Sequence, residues 1–277
     1  MDVARTDNPV ILTDTQLHWL RQLQLPWRAA ATQGLTGERR SLTGRGNEPE
    51  LLRRYQYGDD VRRIDWPATL RLQRPTVRQP LAVMPGRVQV VLDTSPSMHL
   101  IPSKWQVARQ LYASIGVVAT AHADMVASVH GSVVSPWFID TSKWIDWASA
   151  VQPSAGPFVG PTDLLRSQMT VFISDLWHTD ALQMIRQLAH QTSHLIVINL
   201  LSFSEVEPAG GDEITLRDSE NATELTVTLS PQLIARYQDK LDAWRTTVRQ
   251  HCQTLAVDYV ACHDQQSLPS IIAEVLQ

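Results

Sequence analysis

Beyond residue 87, short β-branched runs alternate with longer stretches in which apolar residues return every three or four positions. Val88–Leu92 is a run of the kind that a parallel sheet buries on both faces. A polar turn follows, and then Lys104–His122, where Val107, Leu111, Ile115 and Val118 keep helical spacing. Met125–His130 and Val133–Phe138 are predicted as a strand pair, Trp144–Ala150 as a short helix and Thr170–Ser174 as a strand. Asp180–His190 is a predicted helix and His194–Leu200 a strand. Glu213–Arg217 and Glu224–Thr228, with Asn221 between them, are a predicted hairpin. Pro231–Gln253 follows as a long helix, Val257–Ala261 as a strand and Leu268–Leu276 as a closing helix. This alternation predicts an α/β fold: a doubly wound, mostly parallel sheet covered on both faces.

The first 86 residues have a different rhythm. Thr13 or Asp14 is placed to cap a helix running to Leu25, with Leu17, Leu20 and Leu25 on one side and Pro26 ending it. Residues 28–50, rich in Gly, Thr and Arg, read as a loop. In residues 51–85, Gly58, Pro67, Pro75, Pro80 and Pro85 interrupt every pattern. The expected organisation is an N-terminal extension, 1–86, packed on an α/β domain, 87–277.

Composition adds bounds. With 43% hydrophobic and 19% charged residues, the 277-residue chain can bury a sizeable core and is not disordered. Two cysteines, Cys252 and Cys262, are too few for a disulfide framework and point to a reducing compartment. The first residues lack a basic stretch followed by an apolar one, and Leu111–Ala121 falls short of the roughly 20 apolar residues of a membrane span. A cytoplasmic protein with no transmembrane segment is the expectation. Residues 1–87 hold 14 Lys and Arg against 9 Asp and Glu, leaving 10 against 19 in the remainder of a chain with 24 and 28 in all. Such asymmetry raises a nucleic-acid face. Because the arginines interleave with Glu48, Glu50, Asp59, Asp60 and Asp65, internal pairing explains it better, as a polar network clamping the extension onto the sheet.

Candidate chemistry gathers where strands end, because ligands of open α/β sheets collect at the carboxyl edge. Asp93-Thr94-Ser95-Pro96-Ser97 follows the first strand and offers one carboxylate and two hydroxyls on one turn. Thr162, in Gly160-Pro161-Thr162-Asp163, adds a hydroxyl, and Asp175, after Ile173-Ser174, adds charge. A small hard cation takes six oxygens and leaves some positions to water or a partner. The same Asp-x-Ser-x-Ser string also suits a turn and a helix cap. His190 and His194 straddle a helix end and are not read as metal ligands. Trp137, Trp144, Trp147 and Trp177 are expected near this end of the sheet, as an interaction surface or as core.

These strand-end residues resemble the metal-ion-dependent adhesion site of von Willebrand factor A domains. The resemblance implies a fold of that type, with Asp93, Ser95, Ser97 and Thr162 on the metal and Asp175 on it directly or through water. Upstream, Arg54-Tyr55-Gln56-Tyr57-Gly58-Asp59-Asp60-Val61-Arg62-Arg63-Ile64-Asp65-Trp66, with Arg71 and Val77-Arg78, resembles the bacterial domain-of-unknown-function family number fifty-eight. Glu207-Pro208-Ala209-Gly210 and Leu216-Arg217-Asp218 resemble it too. Pro49 and Leu70 depart from that family's pattern, and only about eight residues separate Thr162 from the strand at Thr170.

What the second resemblance implies is a metal-dependent, protein-binding adaptor, using Mg²⁺ (or Mn²⁺ or Ca²⁺), whose partners are a MoxR-type AAA+ ATPase and that ATPase's protein substrate. No small-molecule substrate and no nucleic acid are expected. The alternative is a Mg-dependent phosphohydrolase using Asp93 as nucleophile. Such enzymes place a second carboxylate two residues on, where this chain has Ser95, and no Gly-x-Ser-x-Gly, His-Glu-x-x-His or phosphate-binding Gly-rich loop is present.

Overall fold

The computed structural model describes residues 11–25, 50–80, 85–156, 165–209, 213–217, 224–228 and 230–277. Two compact units emerge, one of residues 1–27 with 86–277 and the other of residues 28–85. The N-terminal helix therefore groups with the sheet and not with an extension 1–86.

In the larger unit the elements in chain order are α1 (Asp14–Leu20), β3 (Arg87–Leu92), α3 (Pro96–His99), α4 (Pro102–Ala121), β4 (Met125–His130), β5 (Val133–Val134) and α5 (Thr141–Ser149). They continue as β6 (Ser167–Ser174), α6 (Ala181–Gln191), β7 (Thr192–Leu201), α7 (Phe203–Val206), β8 (Glu213–Arg217), β9 (Glu224–Thr228), α8 (Pro231–Thr254), β10 (Asp258–His263) and α9 (Leu268–Val275). The smaller unit supplies β1 (Glu50–Arg54), α2 (Trp66–Leu72) and β2 (Thr76–Pro80).

Six strands make one sheet in the order β10-β7-β6-β3-β4-β5, parallel except for β5 against β4. Side chains alternate across it. Val88, Val90 and Leu92 join Val171, Ile173, Ile196 and Ile198 on the face covered by α4, α5 and α9. Val91, Phe172, Leu195 and Val197 point the other way, into a second core with Ile185, Leu188 and Val248 of α6 and α8. The expected mixed α/β sheet with helices on both faces is what forms. The hairpin of β8 and β9 pairs antiparallel, Glu213 opposite Thr228.

The differences from the sequence reading are local. The N-terminal helix stops at Leu20, although Leu25 is still buried with it. Thr13 caps it through a reciprocal box with Gln16. The strand expected over Val133–Phe138 shrinks to two residues, and Phe138 keeps only a bridge to Val126. Central α4 is buried on almost every side from Ala108 to Thr120, and Gly116 lets it approach Trp144. A Cβ on Gly116 would lie 2.0 Å from the Trp144 ring, whose Nε1 donates to Ala113 O at 2.9 Å.

Candidate functional site

Where β3 ends, the chain leaves the sheet through Asp93, Thr94 and Ser95 and enters α3 at Pro96. Asp93 is fully buried, and Ser95 is only 5% exposed. Asp93 Oδ1 accepts from Ser95 N at 2.9 Å and Oδ2 from Ser174 Oγ at 2.7 Å. Ser174 Oγ in turn accepts from Leu176 N at 2.9 Å, which ties the ends of β3 and β6 together. Ser95 Oγ and Ser97 Oγ lie 3.1 Å apart. Asp93, Ser95 and Ser97 thus form one cluster. Ser95 stands at the cap position of α3, but its side chain makes no hydrogen bond to the helix backbone and its hydroxyl lies by Ser97.

Asp175 ends β6 in the neighbouring position, 1% exposed. Its presence, after burial itself, pushes the Asp93 carboxyl above its ordinary range. Asp175 is held by Trp177 N, which donates to Oδ1 at 3.2 Å, while its carbonyl accepts from Asn199 Nδ2 at 2.9 Å. Between them, Leu176 takes the left-handed backbone region, φ 59°, a conformation rare for a branched side chain and held here by the two turns around it.

Sequence reasoning missed the cation of this cluster. Lys104, on the first turns of α4, is 0% exposed and donates to Asp175 Oδ2 at 3.2 Å and to Glu205 Oε1 and Oε2 at 2.9 and 3.1 Å. Glu205 belongs to α7, just beyond the end of β7, where it also accepts from Ser202 N at 2.6 Å. The apolar spacing places Lys104 only at the start of a helix and assigns it no partner. Its two carboxylate partners come together only when the ends of β6 and β7 are brought beside α4. Asp93 itself pairs with no cationic side chain among the described residues.

Thr162 lies outside the described residues. The chain leading towards it is anchored near the site, since Ser154 N donates to Thr94 O at 2.7 Å. Among the described residues no three His, Cys, Asp or Glu side chains gather as a metal cluster. A cation at this edge would therefore depend on serine hydroxyls, the oxygen donors that hard ions accept. Trp177 follows the carboxyl end of β6; it is 41% exposed and stacks on Trp244 at 5.1 Å. Trp144 is core, and Trp137 lies under the Arg87 guanidinium at the opposite, amino end of β3. His194 pairs with Asp258 at 3.3 Å.

In the smaller unit the Gly58-Asp59-Asp60 string has local tasks. Gly58 turns the chain at φ 103°, and Asp59 accepts from Arg53 Nη1 and Nη2 at 2.8 and 2.5 Å and from Gln56 N. Asp60 caps the single 3-10 turn at Val61–Arg63 through Arg62 N, and Asp65 caps α2 through Ala68 N. The expected arginine–aspartate pairing is seen in the bidentate Arg53–Asp59 contact, while Asp60 and Asp65 also cap the two helical turns. Arg54, Arg62, Arg63, Arg71 and Arg74 are exposed and make no ion pair among the described residues.

The model of a family described as "Protein of unknown function DUF58" matches residues 51–134, from β1 through the end of β5. That stretch is a DUF58 segment. It joins the turn-and-cap string to the Asp93 loop and the whole of α4. Uncharacterized protein Rv1480 of Mycobacterium tuberculosis (strain ATCC 25618 / H37Rv) and uncharacterized protein Mb1516 of Mycobacterium bovis are each 41% identical to this chain over 80 residues. Each match covers 28% of this chain and 25% of the relative, so the chain spans about a quarter of those relatives' length. Among solved structures, BatB from Bacteroides thetaiotaomicron is similar at 15% identity and a TM-score of 0.40, over 68% of this chain and 94% of that one. An aerotolerance-related membrane protein from Bacteroides fragilis is similar at 13% identity and a TM-score of 0.37, over 69% and 98%. Scores at that level carry no argument about this chain. Its described residues include no helix long and apolar enough to cross a membrane.

Proposed function

We propose that the carboxyl edge of this sheet is a divalent-metal site of von Willebrand factor A type, with Asp93, Ser95 and Ser97 as ligands. Asp175 stands beside the ion, and Thr162 supplies a further hydroxyl. The chain is then a metal-dependent adaptor for proteins, not an enzyme, and works with a MoxR-type AAA+ ATPase on that ATPase's substrates. The partner comes from the family resemblance, the site from the residues.

The observation that carries the reading is Asp93, a buried carboxylate with two hydrogen-bond donors and no cationic partner among the described residues. A buried charge left unpaired is costly. Asp175 and Glu205 already share Lys104, so among the described residues no cationic side chain faces Asp93, and a divalent ion would supply that charge. The side chains proposed as ligands, Asp93, Ser95 and Ser97, all offer oxygen, which fits Mg²⁺ or Mn²⁺ better than a softer metal. When bound, such an ion offers an open coordination position to a carboxylate of the protein partner. The chain's own residues hold Asp93 in place through Ser174 and turn the serine hydroxyls towards it.

The test is thermal unfolding with and without millimolar Mg²⁺ or Mn²⁺. Metal binding to the folded state alone stabilises by RT ln(1 + [L]/Kd), about 2.7 kcal/mol at 100-fold saturation. The wild type gains in melting temperature, and Asp93→Ala loses most of that gain. Equal gains in both proteins would remove Asp93 from the ligand set.

A further inference from the structure

Several exposed side chains of the DUF58 segment have no task inside their own unit. On α2, Trp66 and Leu70 stand four residues apart on one face, 64% and 78% exposed. The 3-10 turn before it presents Val61, 61% exposed, together with Arg62 and Arg63, and Arg71 follows on α2. The backbone around them is fully employed: Asp60 and Asp65 cap the two helical turns, and Ile64 bridges to Val77 of β2. What remains is a surface of tryptophan, aliphatic residues and arginine. That is the composition of protein interface hot spots, in which Trp and Arg carry most of the energy. A nucleic-acid surface would not place Val61 and Leu70 among its cations, and residues 28–85 contain no lysine.

The chain also carries the counterpart. Residues 28–85 hold 11 arginines against 6 acidic residues, and the rest of the chain holds 13 basic against 22 acidic. In the larger unit, a groove of about 370 Å³ between α7 and α8 is lined by Val206, Ala235, Leu241, Glu207, Asp239 and Asp242. Its three carboxylates are exposed at the rim and pair with no cation among the described residues. Arg236 and Lys240 share α8 but do not line the groove.

We propose that the protein self-associates head to tail, the Trp66–Leu70 face of one copy seated on the Glu207–Asp239–Asp242 groove of another. Trp66 and Leu70 pack on Val206 and Ala235 of an otherwise mostly polar groove, and Arg62 and Arg63 meet its carboxylates. Such an interface is heterologous: copies add in one direction and end in a ring or a filament, according to the rotation between neighbours. It does not depend on the metal reading, since neither surface includes Asp93 or the serines.

Sedimentation velocity of the full chain over a wide concentration range tests this in chelator, so that failure of the metal site has no influence. The wild type assembles reversibly, and added salt weakens the assembly because its charges are exposed. Arg62→Glu with Arg63→Glu, and separately Asp239→Arg with Asp242→Arg, each weaken it roughly tenfold or more. Their melting temperatures stay near the wild-type value, because all four positions are exposed. Mixing the two variants restores the native interface, from the basic face of the second to the groove of the first, and leaves the two altered faces complementary in charge as well, so association returns. Three results would overturn the proposal: a wild type that stays monomeric throughout, variants that assemble like the wild type, or a mixture in which association does not return.

Discussion

Lys104 shows how much a single side chain decides here. An ammonium with no exposed surface is tolerable only because Asp175 and Glu205 both accept from it. Lys104→Met keeps the volume and removes the charge, leaving two carboxylates to face each other at the ends of β6 and β7. Breaking such a pair typically costs about 3–5 kcal/mol, at the lower end here because Glu205 is 23% exposed. Chemical denaturation of Lys104→Met should show that loss, and adding Glu205→Gln should recover part of it. Recovery would identify repulsion, and not a packing defect, as the cause. The same residue also measures what was legible in advance. Asp93, Ser95, Ser97 and Asp175 announced themselves by oxygen-bearing side chains at predicted strand ends, and the structure brings the first three into one cluster beside the fourth. Lys104 did not, since a lysine near a helix start is ordinarily solvated.

Elements meet through small residues and caps. Helix α4 lies against α5 at Gly116, where a methyl group would enter the Trp144 ring. Gly116→Ala gains helix propensity of about 1 kcal/mol in principle. The overlap reverses the sign, and a net loss of about 1–3 kcal/mol is expected from urea unfolding. The same change at a helical site without such an overlap would stabilise, so the direction alone reports the contact. Nothing in the local pattern marked Gly116, because a glycine inside an apolar helix looks like a defect until its neighbour is known. Termination of the first helix at Leu20 has a similar cause: Leu25 remains buried after the helix ends, so the apolar spacing extended past the hydrogen-bonded turns.

For the whole molecule, acid sensitivity follows from carboxylates that work only when ionised. Asp264, after β10, accepts from the Ser103 hydroxyl and from Phe203 N at 2.7 Å, linking α4, α7 and the far edge strand. Burial alone would raise its pKa; the hydrogen bonds from Ser103, Phe203 and Ser202 outweigh burial and hold it below the usual carboxylate value. A carboxyl lowered in the folded state contributes stability above its unfolded pKa and loses it as pH falls through the folded one. Melting curves of wild type and Asp264→Asn should therefore differ most near neutrality and converge in acid below the ordinary carboxylate range. A difference independent of pH would assign Asp264 a steric role only. The adaptor reading makes its own demand at this scale. Purified protein with Mg²⁺ should turn over generic phosphate esters no faster than Asp93→Asn does; a reproducible excess in the wild type would restore the phosphohydrolase.

The linear sequence determined the order of elements, because β-branched runs and three-to-four periodicity are local properties, and backbone hydrogen bonding leaves few ways to satisfy them. It also determined the site's oxygen donors, since a strand end followed by Asp-x-Ser-x-Ser has that chemistry wherever it is placed. Only the tertiary structure decided which charges neutralise which. Lys104 and Asp175 are 71 positions apart, and Lys104 and Glu205 101, and their attraction is set by burial and distance that no periodicity encodes. The same holds in the smaller unit. Its string of arginines and aspartates reads as a mutual network, yet backbone N–H groups at two helical turns claimed Asp60 and Asp65 first. A cap lies two or three residues away along the chain and needs no distant partner, so it forms at little entropic cost.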